Sequence, residues 1–121
     1  MLSAPHRLRS SADFGVAVRR GRRAGTSRVV VHAAGSGAVD VPARVGFVVG
    51  KSVGPAVVRN RTKRRLRALM RPLVRDLLPG AVVVVRANPA AAAAPGPALE
   101  RDLRSALVRA GTAAGVLAAG S

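Results

Sequence analysis

Cysteine, tryptophan and tyrosine are absent from this 121-residue chain, phenylalanine occurs twice, and Asp plus Glu number only five. Without cysteine there is no disulfide framework and no thiolate metal site. Two histidines and five scattered carboxylates leave no metal-ligand spacing and no acid–base pair, so no catalytic residue and no protein-bound cofactor or metal is expected. His32 together with distant Ser and Asp residues does not make a triad, since geometry defines one. Gly50-Lys51-Ser52 has the look of a phosphate-binding loop but lacks the earlier spaced glycine. No apolar run reaches the length of a membrane span. Met1–Ser10 carries no apolar stretch, and Arg7 and Arg9 lead into Ser10, Ser11 and Asp13, so no secretory signal and a cytoplasmic location are expected.

The apolar fraction is 49%, enough to exclude disorder over the whole length. Most of it is Ala and Val, which predicts a thin aliphatic core for one small domain. Lys plus Arg number 21, for a net charge of +16. Such an excess opposes folding through self-repulsion, and a polyanion is the natural partner to offset it. GC-rich coding accounts for Arg over Lys, but not for the shortage of acids.

Along the chain, His6–Gly21 reads as a short helix with Ser10 or Ser11 as its cap. Arg28–Ala33 and Arg44–Val49 read as two strands paired in a hairpin, with Gly35–Pro42 as the loop between them. Gly50–Pro55 is a turn, and Pro55 suits the first position of a following helix. In that helix Leu66, Leu69, Met70, Leu73 and Leu77 form an apolar stripe, with Arg64, Arg67, Arg71 and Arg75 opposite. Pro72 should break it and leave Leu73–Leu78 as a separate short segment. Ala81–Ala87 is a strand whose valine run implies burial on both faces. Asn88–Pro97 reads as a flexible loop and Pro97–Ala110 as a last helix. The expected organisation is one domain over residues 1–110, for which the resemblance given below implies RNA binding, and a flexible tail over 111–121. The fold class is α+β, a two-layer sandwich of a small mixed sheet and helices.

No acid lies between Asp40 and Asp76, yet ten basic residues do, eight of them within Arg59–Arg75. Like charges at helical spacing repel by a few tenths of a kcal/mol per pair, so stability alone would favour interspersed Glu. The cluster reads as a track for phosphates. Asn60 offers an amide that either contacts a ribose or base edge or bonds the local backbone. Charge and size alone fit a ribosomal protein or a nucleic-acid chaperone equally well. A cationic membrane binder is a third reading.

The run Arg59-Asn60-Arg61-Thr62-Lys63-Arg64-Arg65-Leu66-Arg67 resembles the arginine-asparagine-arginine signature of the bacterial ribonuclease P protein family. The lead-in Arg44-Val45-Gly46-Phe47, Lys51, Gly54 and Ala56-Val57 matches as well, as do Arg7-Leu8, Asp13-Phe14 and Gly21. The resemblance spans roughly residues 6–110. It implies the family's α/β sandwich, of the ribosomal protein S5 domain 2 type, with a four-stranded sheet and a left-handed crossover. The default crossover is right-handed. One strand beyond the three read above is then required.

The resemblance further implies a subunit that binds a catalytic RNA and the 5′ leader of precursor tRNA, while RNA-bound magnesium serves the cleavage. No protein oligomer and no membrane association are expected. By position, Lys51, Arg59, Asn60, Arg61, Lys63, Arg64 and Arg67 would contact the catalytic RNA, and Arg71 and Arg75 extend that face. A leader-binding cleft would draw on Arg7, Arg9, Phe14, Val18, Arg28 and His32. Val18 and His32 stand where the family often has aromatics, so leader binding would lean on arginine more than on base stacking. Phe14 is either a cleft residue or plain core.

Overall fold

In a computed structural model the described residues are 15, 19–36 and 40–118. Four strands form one sheet: β1 (Arg22–Gly25), β2 (Val29–Gly35), β3 (Arg44–Val48) and β4 (Ala81–Ala87). Helix α1 covers Ala56–Met70 and helix α2 covers Gly96–Ala114. The strand order is β1-β2-β4-β3. β1–β2 and β2–β4 are antiparallel, and β3–β4 is parallel. A parallel neighbour requires a crossover, and α1 lies within the segment that links β3 to β4.

This order corrects the expected hairpin between the second and third strands. β2 pairs with β4 instead, from Val29 opposite Ala87 to Gly35 opposite Ala81. The reason is burial. Ala81–Val85 is buried without a break, so β4 needs neighbours on both sides and cover on both faces. β3 opens on half-buried Arg44 and takes an edge. The fourth strand is Arg22–Gly25, too short and too polar to show a strand pattern. Gly15, Arg19 and Arg20 are helical, and the rest of the expected first helix lies outside the described residues.

Alternation along the strands sorts the side chains into two faces. One face carries Val29, Val31, Ala33, Val45, Val83 and Val85, packed with Leu66 and Met70 of α1 and Leu99, Leu103 and Leu107 of α2. The other carries Val30, His32 and Ala34 of β2 beside Arg86, Val84 and Val82 of β4. Val82 and Val84 form a small second cluster there with Val48.

Proline punctuates α1 as expected. Pro55 caps the helix from the position before it rather than opening it, and the α-helix ends at Met70. The chain continues as a tighter 3₁₀ segment, Arg71–Asp76, with Pro72 in its first turn.

Two segments without a clear pattern in the sequence carry regular structure. Asn88–Pro97 holds a 3₁₀ turn, Pro89–Ala91, and buries Ala91 and Ala94. The Asn88 amide donates to the carbonyls of Thr26 and Ser27 at its start. The C-terminal stretch is docked as far as Ala118. α2 runs four residues past Ala110. Gly115 ends it at φ 70°, and the Val116 N–H donates to the Gly111 carbonyl at 2.9 Å. The Leu78 N–H donates to Val116 and the Ala118 N–H to Asp76, both at 2.8 Å. A Cβ on Gly111 would stand 2.8 Å from Leu117 Cγ, so glycine permits this close return.

Candidate nucleic-acid interface

The site begins in the turn between β3 and α1. Lys51 starts a 3₁₀ turn, Lys51–Val53, and is exposed, while Val53 points into the core. Gly54 follows at φ 151°, a conformation L side chains rarely adopt, and a Cβ there would meet Val58 Cγ1 at 3.0 Å. The Gly54 carbonyl accepts a bond from Arg59 Nε at 3.2 Å.

Helical phase then distributes the signature residues around α1. Thr62, Leu66 and Met70 are buried against the sheet. Thr62 reads as polar in sequence, but its hydroxyl donates to the Val58 carbonyl at 2.9 Å and leaves a methyl for the core. Asn60, Arg61, Arg64 and Arg71 are exposed on the far side. Lys63 and Arg67 are half-buried on one flank. The Arg67 guanidinium lies over the Phe47 ring, 6.0 Å from its centroid, at the outer limit of a cation–π contact.

The opposite flank holds Arg65, to which the signature resemblance assigns no contact. Its Nη1 donates to the carbonyls of Ala91 and Ala92, each at 3.4 Å, and its Nη2 donates to the carbonyl of Ala94. A signal for this inward arginine exists in the spacing. Arg65 stands four residues before Leu69 and seven after Val58, and both of those pack on the core.

Among the described residues the ion pairs are Arg28–Asp102 at 3.0 Å and Arg104–Glu100 at 3.4 Å, so no carboxylate neutralises α1. Asn60, Arg61, Arg64 and Arg71 therefore present a polar, uncompensated cationic stripe, flanked by Lys63. Such a surface raises the local concentration of polyanions and suits phosphates better than any neutral ligand. Among the described residues no cluster of His, Cys, Asp or Glu could hold a metal, and no helix is long and apolar enough to cross a membrane.

The expected leader cleft is only partly within view. Arg7, Arg9, Phe14 and Val18 lie outside the described residues. His32 is buried on the sheet face away from α1 and α2. Burial lowers its imidazole pKa from the usual 6.5, and the charges of Arg86 and Arg23 lower it further. Arg28 is not brought to His32. Its guanidinium pairs with Asp102 of α2, on the helix-covered side. The residues that do gather with His32 are Arg23, directly opposite it on β1, and Arg86 on β4. Neither stood out in the sequence.

A four-stranded mixed sheet backed by two helices, with one arginine-rich helix face and an arginine-flanked second sheet face, defines a small α/β RNA-binding protein. The family model for Ribonuclease P matches residues 2–111. The chain is 55% identical over 112 residues to the Ribonuclease P protein component of a Nocardioides species, covering 92% of this chain and 96% of that one. It is also 55% identical over 119 residues to that of Beutenbergia cavernae, covering 98% and 99%. Among solved structures, the RNase P protein of Staphylococcus aureus superposes with a TM-score of 0.77 at 25% identity, covering 93% of this chain and 98% of that one. The chain belongs to the ribonuclease P protein family, the protein part of a ribonucleoprotein endoribonuclease that processes tRNA.

Proposed function

We infer that the exposed face of α1, with Lys51 at its entrance, docks on the phosphate backbone of the catalytic RNA. The observation that carries this reading is the stripe Asn60, Arg61 and Arg64 of α1 with Arg71 just past its end, all exposed, on a helix that contains no carboxylate. Folding gains nothing from that arrangement, because like charges at helical spacing oppose the helix. Lys63 and Lys51 extend the contact, and Arg59 and Arg67 join it, Arg59 with the donors that its Nε bond to Gly54 leaves free and Arg67 from its place over the Phe47 ring.

The sheet face bearing His32, Arg23 and Arg86 receives the single-stranded 5′ leader of precursor tRNA. Arg7, Arg9, Phe14 and Val18 complete that cleft by position match. Arg28 contributes to its frame rather than to the leader. A neutral His32 suits a base edge or face, and the two arginines suit phosphates. The protein supplies no acid, base or metal ligand to the cleavage. That chemistry belongs to the RNA and the magnesium it binds, in the cytoplasm where tRNA is processed.

The test is cleavage of precursor tRNA at low magnesium by the catalytic RNA alone, by RNA with protein, and by protein alone. Cleavage at the mature 5′ end only when both are present is the expected result. An RNA whose activity is unchanged by the protein refutes the reading and favours a ribosomal or chaperone role.

A further inference from the structure

The basic signature is not uniformly an RNA surface, because Arg65 points the other way. It projects from α1 toward the turn before α2 and spans three consecutive-neighbourhood carbonyls, those of Ala91, Ala92 and Ala94. Ala91 and Ala94 are buried, so these acceptors stand where water is scarce and an unpaired carbonyl is costly. A guanidinium offers several donors in one plane and can serve three acceptors at once, which an ammonium on a flexible stem does less well.

The turn that Arg65 holds has a second neighbour. The Pro89–Ala91 turn lies against the Lys51–Val53 turn, and buried Ala91 and Val53 belong to the same core cluster. On its other side the Lys51 turn is held by Arg59 through the Gly54 carbonyl. Two arginines of one helix thus grip the segment that presents Lys51, Arg59 directly and Arg65 through the Pro89–Ala91 turn.

We propose that Arg65 is a positioning residue: it clamps the Pro89–Pro95 turn to α1 and so fixes the Lys51 turn for RNA, without itself contacting phosphate. The RNA half of this statement rests on the function proposed above, whereas the clamp does not.

Two measurements test it. In the free protein, amide hydrogen exchange reads the clamp. Arg65→Lys keeps the charge and loses the fork. It should speed exchange at Ala91, Ala94, Val53 and Gly54 about tenfold or more while leaving β4 unchanged. In the complex with the catalytic RNA, the dependence of affinity on salt reads phosphate contact. In a Lys51→Gln parent, where release of the Lys51 turn can cost no further contact, Arg64→Gln should reduce the slope of log K against log salt by about 0.7–0.9, the loss of one phosphate contact, and Arg65→Gln by less than half of that. Unchanged exchange at Ala91 and Ala94, or at Val53 and Gly54, overturns the proposal. So does a slope loss for Arg65→Gln equal to that for Arg64→Gln. If neither variant moves the slope, the RNA face itself is misassigned, and the exchange data alone decide the clamp.

Discussion

Removing Arg61, Arg64 and Arg71 together gives the sharpest test of the α1 face. All three are exposed, and no ion pair of the described residues involves them, so their loss costs little packing. Removing like charges should, if anything, stabilise the free helix by a few tenths of a kcal/mol per pair relieved. If each guanidinium neutralises one phosphate, the triple Gln variant loses about 2–3 from the slope of log K against log salt. Between about 50 and 200 mM salt that amounts to a roughly 20- to 50-fold smaller drop in affinity. The assay is filter binding to the catalytic RNA at four or five salt concentrations, with thermal unfolding run in parallel. A matched control removes Arg101 on α2, which is exposed and away from the signature. If the control, taken per charge removed, flattens the slope as much as the triple variant does, attraction is diffuse and the α1 face has no special role. A triple variant that unfolds at a lower temperature than the parent would show instead that these arginines serve the fold.

Three further outcomes are expected. Leu66→Ala, at a fully buried position between α1 and the sheet, should lower stability by about 2–5 kcal/mol in urea titration, a large share of what a small domain has. Gly54→Ala should lower it by about 1–3 kcal/mol, because φ 151° strains any L residue and Val58 blocks the new methyl; the same variant should weaken RNA binding by misplacing Lys51, and normal affinity would refute that link. His32 has a lowered pKa when folded, so the native state binds fewer protons than the unfolded chain just below pH 6.5. Its contribution to stability is therefore complete above that pH and is lost on acidification through the folded value. Thermal unfolding at pH 7.5 and at pH 5 should show a fall that His32→Gln reduces.

The strands of the interior were legible because burial on both faces leaves unbroken valine, as in Ala81–Val85. Their pairing was not, since adjacency in sequence suggests a hairpin and only the need to cover β4 on both edges overrides it. Arg22–Gly25 carries no strand pattern in the sequence because an edge strand satisfies one side of its backbone with water and needs no apolar alternation. The C-terminal stretch looked like a tail because its glycines and alanines carry no hydrophobic signal. In three dimensions those small residues are what allow Val116 and Leu117 to fold back on the core, with Leu117 bridging to Leu77.

The candidate site was legible as a segment and not as a surface. Composition places eight cations within Arg59–Arg75, and the signature resemblance marks most of them as contacts. Packing then divides them by a property that no count of charges reveals, namely where each lies on the helix relative to Leu66. Arg65 is committed to backbone carbonyls, Arg59 shares its Nε with Gly54, and Arg67 lies on Phe47. Arg61, Lys63, Arg64, Arg71 and Arg75 keep their full donor sets. Only Arg65 is turned wholly inward, so the electrostatic term from this segment should correspond to about seven phosphates rather than eight, a salt slope of roughly 5–6 where the bare sequence would suggest about 6–7. Lys51 adds to it only if its turn is held in place, and that makes the internal bonds of Arg59 and Arg65 part of the same interface.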